Sequence, residues 1–152
     1  MFIKSFDKRF RELINSMIKH AFEYVNFDKE NVDTVYIYCS HEENVYSTGF
    51  FFKIKGQLRE RHKVNIDGLN YHISDRLQEQ IMIAIRKDCE RLVNLFVQFR
   101  RKVPTQLKIE FYPKTGKFNI KLDYELHWSN TDELLPEDIE DKWFEELKNN
   151  NA

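Results

Sequence analysis

The sequence predicts an α+β fold in the order αβββαββα, an antiparallel sheet packed against two long helices with a short helix near the C-terminal end. Three observations carry this prediction. Two long segments repeat apolar residues at three- and four-residue steps, the signature of an amphipathic helix. Runs of alternating apolar and polar residues lie between and after them, as half-buried strands require. One tight connection, "PKTG", joins two such runs into a hairpin. No linker, repeat or low-complexity tract divides the 152 residues, so one domain over residues 1–152 is expected.

The first helix follows from Phe6, Phe10, Leu13, Ile14, Met17, Ile18, Ala21, Phe22 and Val25, which draw one continuous stripe, and Ser5 is placed to cap it. After "NFDKENVD" the period changes to two. Val35, Ile37 and Cys39 point one way, while Tyr36 and Tyr38 point the other. "VYSTGFFFKIKGQ" continues with Phe50, Phe52 and Ile54 on one face, and its "KGQ" turn leads into a polar third strand, "LRERHKV". Ser74 caps a second helix expected to run to about Lys102, with Leu77, Ile81, Ala84, Ile85, Leu92, Phe96 and Phe99 buried and Ile83, Leu95 and Val97 widening that face. Pro104 ends it.

In the last hairpin, pairing Phe111 with Phe118 also pairs Ile109 with Ile120 and Leu107 with Leu122, which puts all six on one face. Tyr124 is expected to continue that inward face, and Asp123, Glu125 and Lys121 to point outward. Pro136 opens the C-terminal helix, whose stripe is Ile139, Trp143, Phe144 and Leu147.

Composition narrows the functional classes. No long uncharged apolar run exists and the opening "MFIKSFDKRF" lacks a leader pattern, so a cytoplasmic protein with no membrane partner is expected. Cys39 and Cys89 lack metal or redox spacing and read as buried thiols. Charge is segregated. Between Leu122 and Lys148 ten acids face two lysines, a formal −8 in a chain of net −1, which leaves +7 for the remainder.

The residues assemble no catalytic motif. Four scattered glycines form no phosphate loop, and the five histidines contain no HExxH or HxxxH pair. Cys39-Ser40-His41 supplies two ligand types on one strand face, too few for a metal site. Glu110, Asp123 and Glu125 beside Lys121 invite a metal-dependent nuclease reading, but the last strand lacks a carboxylate-x-lysine step. No cofactor, metal or enzymatic activity is expected. A second surface interleaves Lys53, Lys55, Arg59, Arg61 and Lys63 with outward Tyr36, Tyr38 and Phe51, the mix that single-stranded nucleic acid requires. With no aromatic signature motif and no net basic charge, nucleic-acid binding stands as an alternative only.

The stretch "LKIEFYPKTGKFNIKLDYE", followed by "SNTDEL" and preceded by "DTVYIYCSHEENVYSTGFFFKIKG", resembles the YezG-like immunity proteins of polymorphic toxin systems, contact-dependent or secreted. It runs from about Asp33 to Asp132, most sharply at Gly116-Lys117-Phe118, Asp123-Tyr124-Glu125 and Ser129-Asn130. Family members typically continue through a longer Trp- and Tyr-rich segment, in place of which this chain has "LLPEDIEDKWFEELKNNNA". The resemblance implies a small cytosolic α+β antitoxin that binds and neutralises a cognate protein toxin, often a nuclease. On that reading Asp123, Glu125, Asp132 and Glu133 steer a basic toxin surface toward Trp128 as the anchor. The identity of the toxin and the presence of a homodimer are left open.

Overall fold

A computed structural model describes residues 5–150, so residues 1–4 and 151–152 of the expected domain lie outside it. The order is α1 (Phe6–Glu23), β1 (Val32–Glu42), β2 (Val45–Ile54), β3 (Gln57–Glu60), α2 (Asp75–Gln98), β4 (Gln106–Tyr112), β5 (Lys117–Asp123) and α3 (Pro136–Asn150). The αβββαββα prediction and the α+β class hold. The strands form one antiparallel sheet in the order β3-β2-β1-β4-β5, with β1 at its centre.

Local chemistry sets the element ends. Ser5 and Ser74 both accept a backbone N–H three residues on, from Lys8 at 3.2 Å and Leu77 at 3.0 Å. The β1–β2 and β2–β3 turns use two left-handed residues each, Glu43-Asn44 and Lys55-Gly56, as two-residue hairpins demand. The β4–β5 register matches the predicted one, with Phe111 opposite Phe118, Ile109 opposite Ile120 and Leu107 opposite Leu122.

Val35, Ile37, Cys39, Phe50, Phe52, Leu107 and Ile109 fill one face of the sheet and meet Ile14, Met17, Ala21, Ile85 and Leu92 from α1 and α2. Complete burial of each large side chain stabilises the fold by about 1.5–3 kcal/mol. A charge sits between the two helices. Asp88 is buried, but its carboxylate accepts from Ser16 Oγ at 2.6 Å and from Arg91 Nη1 at 2.8 Å, so its loss of water is compensated.

Four expectations change. The polar third strand ends at Glu60 and passes into a single 3-10 turn, Arg61–Lys63, because Arg59 Nε bonds Lys63 O at 2.8 Å and Arg61 turns back to Phe50 O at 3.2 Å. The second helix ends at Gln98 rather than Lys102. Arg100 adopts a left-handed conformation, and the N–H groups of Arg100 and Arg101 close onto Val97 O and Phe96 O, a Schellman stop made without glycine. Val97 lies on the solvent side of that helix. Tyr124 does not extend the inward face, because β5 ends at Asp123 and the chain turns away, leaving Tyr124 exposed.

The largest difference concerns the other sheet face. Tyr36, Tyr38 and Phe51 do point away from α1 and α2, but α3 covers them, and they are 5%, 0% and 2% exposed. Ile139 and Trp143 seat on them, with Trp143 edge-on to Tyr36 and Phe51. Close seating depends on Gly49 in β2, where a methyl group would overlap the Glu140 carboxylate. Glu140 in turn reaches Arg61 at 3.1 Å.

Candidate functional site

The connection from Tyr124 to Leu135, between β5 and α3, holds most of the predicted partner-facing residues and has no regular hydrogen-bond ladder of its own. Its order comes from a residue distant in sequence. Glu42, at the end of β1, is 2% exposed, and its carboxylate accepts the backbone N–H groups of His127 at 3.1 Å, Trp128 at 3.4 Å and Ser129 at 3.1 Å, together with the Ser129 hydroxyl at 2.7 Å. Burial alone would raise the Glu42 pKa. The hydrogen bonds from Ser129, His127 and Trp128 outweigh it and hold the carboxyl below its usual range. Backbone donors that a loop would otherwise leave to water therefore converge on one buried anion.

The flanks of this clamp are tied as well. Thr105 Oγ1 lies 2.6 Å from Glu125 O and 3.1 Å from Asp123 O, which fixes the turn out of β5. Asp123 Oδ1 accepts Glu125 N at 2.8 Å, the main reason its carboxyl titrates lower than usual. At the far end Asp138 Oδ2 accepts Leu135 N at 2.8 Å, a side chain in the first turn of α3 reaching back to cap it.

This geometry sorts the five predicted residues. Glu125, Asp132 and Glu133 are exposed, and no ion pair engages them among the described residues. Asp123 is half-buried, with its carboxylate accepting Glu125 N and lying 3.4 Å from His127 Nε2. Trp128 is half-buried. Its ring packs toward α3 and the Tyr36–Tyr38 cluster, and its Nε1 donates to Ser40 Oγ at 2.8 Å.

The second predicted surface does not assemble as expected. Tyr36 and Tyr38 lie under α3 and offer no face for stacking. Arg61 spends its guanidinium on Phe50 O, the Phe50 ring at 5.4 Å and Glu140, while Lys55 Nζ donates to Asp67 O at 3.1 Å. Lys53 remains half-buried and Lys63 exposed. Beside Arg61 a cleft of about 460 Å³ runs between β3 and α3, with Glu60, Glu140, Asp141 and Glu145 in its lining, an acidic surround for any anion. Burial pushes the Glu140 carboxyl up despite the Arg61 charge beside it.

The carboxylates of the nuclease reading are dispersed. Glu110 faces Asn119 across the β4–β5 ladder and accepts Tyr112 Oη at 2.9 Å, while Asp123 faces Gln106 at the ladder's other end. Among the described residues, no three His, Cys, Asp or Glu side chains are grouped to hold a metal ion. No helix of the described residues is long and apolar enough to cross a membrane.

The model of the YezG-like family, immunity protein YezG-like, matches residues 10–146. The chain belongs to the YezG-like immunity protein family. No curated protein sequence matches it. The family match runs from α1 into α3 and includes Glu42, the loop it clamps and most of the helix that covers the outer sheet face. The resemblance legible in the sequence runs from about Asp33 to Asp132, with the first helix consistent, and nothing in the sequence marks Glu42. An acid in "HEEN" reads as an ordinary turn residue, and only the return of the chain past β1 reveals its donors.

Proposed function

We propose that this YezG-like immunity protein binds a cognate cationic toxin, such as a nuclease, and neutralises it without catalysis by covering the active site or substrate surface. The observation that carries this reading is a negatively charged loop held in one conformation. Glu125, Asp132 and Glu133 stand in solvent on a backbone that Glu42, Thr105 and Asp138 fix, within a segment of formal charge −8. A nuclease binds a phosphate backbone and presents basic groups to do so, so an acidic surface competes for the same groups. Asp123 and Trp128 support that surface from within, Asp123 by holding the turn and Trp128 by pinning the loop to Ser40. The nucleic-acid alternative is less favoured, because its aromatic residues are covered and the cleft beside them sets Glu60, Glu140, Asp141 and Glu145 against Arg61 and His62.

The test is identification of the neighbouring gene and co-expression of its product, as the candidate toxin, with this protein. The wild-type protein restores growth and forms an isolable complex, and a Glu125→Gln, Asp132→Asn, Glu133→Gln variant weakens binding at least on the order of tenfold. Full protection by that triple variant would refute the assignment of this loop. Growth arrest that persists with the wild-type protein would refute the immunity reading for that toxin.

A further inference from the structure

Seven large hydrophobic residues are exposed among the described residues, and four of them, Tyr124 at 38%, Leu126 at 48%, Leu134 at 41% and Leu135 at 63%, belong to the single connection between β5 and α3. The other three, Phe27, Val45 and Val97, sit on three separate parts of the chain. Single exposed apolar residues are ordinary on protein surfaces, and this connection carries more of them than any other part of the described chain. These side chains are not exposed because the segment lacks order. The Glu42 clamp, the Trp128–Ser40 bond and the Asp138 cap fix its backbone, so apolar groups are presented at little further entropic cost to a binding partner.

We infer that Leu126, Leu134 and Leu135, with Tyr124 of the same connection, are the apolar anchor of the toxin complex, and that the toxin surface they fit is an apolar depression ringed by lysine or arginine. This inference rests on the immunity reading above and divides the labour within it: the leucines set how long the complex lasts, and Glu125, Asp132 and Glu133 set how fast it forms. Charge selects the occupant. A second copy of this chain would bring one −8 segment against another, and an anionic membrane surface would repel the same segment. A cationic protein surface is attracted to it. Tyr124 contributes least, because the Lys102 ammonium already lies 5.3 Å from its ring centroid.

Association kinetics with the purified toxin, measured at about 50 mM and about 200 mM salt, separate the two roles. Leu134→Ala, Leu135→Ala speeds dissociation on the order of tenfold or more, with the association rate and its salt dependence kept. The Glu125→Gln, Asp132→Asn, Glu133→Gln variant slows association and flattens its salt dependence, with dissociation nearly kept. With Leu134 41% and Leu135 63% exposed, their variant keeps the wild-type fold, which its melting curve checks. A leucine variant that dissociates within about twofold of a tightly binding wild type overturns the anchor while leaving the immunity reading intact. A free protein that sediments as a dimer, and as a monomer once the leucines are replaced, also overturns it and assigns the patch to self-pairing. A wild-type protein with no affinity for the toxin overturns the immunity reading, and the anchor with it.

Discussion

Replacing Glu42 with glutamine tests whether one buried carboxylate organises the loop. Four donors converge on it, three backbone N–H groups and the Ser129 hydroxyl, all within reach of Oε1, while His127 N also lies 3.1 Å from Oε2; a glutamine keeps an acceptor at the Oε1 position but loses the charge and turns an NH₂ group toward the His127 N–H. Hydrogen bonds to a charged group contribute about 1.5–3 kcal/mol each, and a stranded buried donor adds its own desolvation cost. With the donors kept on a neutral oxygen instead of a charged one and the His127 N–H facing the new NH₂ group, the expected loss is about 3 kcal/mol. In a domain of this size that corresponds to a fall in melting temperature on the order of 10 °C. Differential scanning calorimetry at neutral pH measures it.

The same variant has a pH signature. The folded-state pKa of Glu42 is depressed, so its stabilisation is complete above the unfolded carboxylate value and is lost as pH falls through the lower folded value. The glutamine variant does not titrate at this position, so the difference between the two proteins narrows as the solution becomes strongly acidic. Two results would refute the reasoning: a variant melting within about 2 °C of the wild type at neutral pH, or a difference that stays constant through the acid range.

Two further perturbations address the helix over the outer sheet face. Gly49→Ala puts a methyl where the Glu140 carboxylate lies; that carboxylate is the end of a flexible side chain, so the cost is its displacement from Arg61, about 1 kcal/mol. In a Glu140→Ala background the cost shrinks, and a double-mutant cycle by chemical denaturation that shows simple additivity would count against the contact. Trp143→Ala removes the ring that covers Tyr36 and Phe51 and lowers stability by about 3–5 kcal/mol. In limited proteolysis the truncated variant is cut first within α3, whereas unchanged cleavage would mean that Trp143 does not hold the helix down.

Much of the fold was legible because it depends on interactions close in sequence. Ser5 and Ser74 cap helices through bonds to residues three positions on, and the β4–β5 register follows from two alternating runs across one turn. The ends of β3 and α2 differ through local bonds, Arg59 to Lys63 and Arg101 to Phe96, but the largest difference lies where distant segments meet. Alternation placed Tyr36, Tyr38 and Phe51 correctly on the face away from α1 and α2, but it could not say what else would land there. A signal did exist. An apolar outer face on β1 and β2 and an unpartnered stripe of Ile139, Trp143, Phe144 and Leu147 on α3 are two surfaces that each need a cover.

The candidate site was legible in its charges and opaque in its architecture. Composition alone located the acidic segment and named Glu125, Asp132 and Glu133 as available, because solvated acids need no particular neighbour. The inward roles of Asp123 and Trp128, the exposed leucines and the Glu42 clamp emerged only when β1 and the chain beyond β5 were brought together. Periodicity, caps and turn chemistry thus determined the elements, their order and the composition of each face. Tertiary packing decided which faces remain open to a partner, because a side chain's burial depends on every segment that folds over it, and bonds such as Glu42 to Ser129 join residues that no local pattern relates.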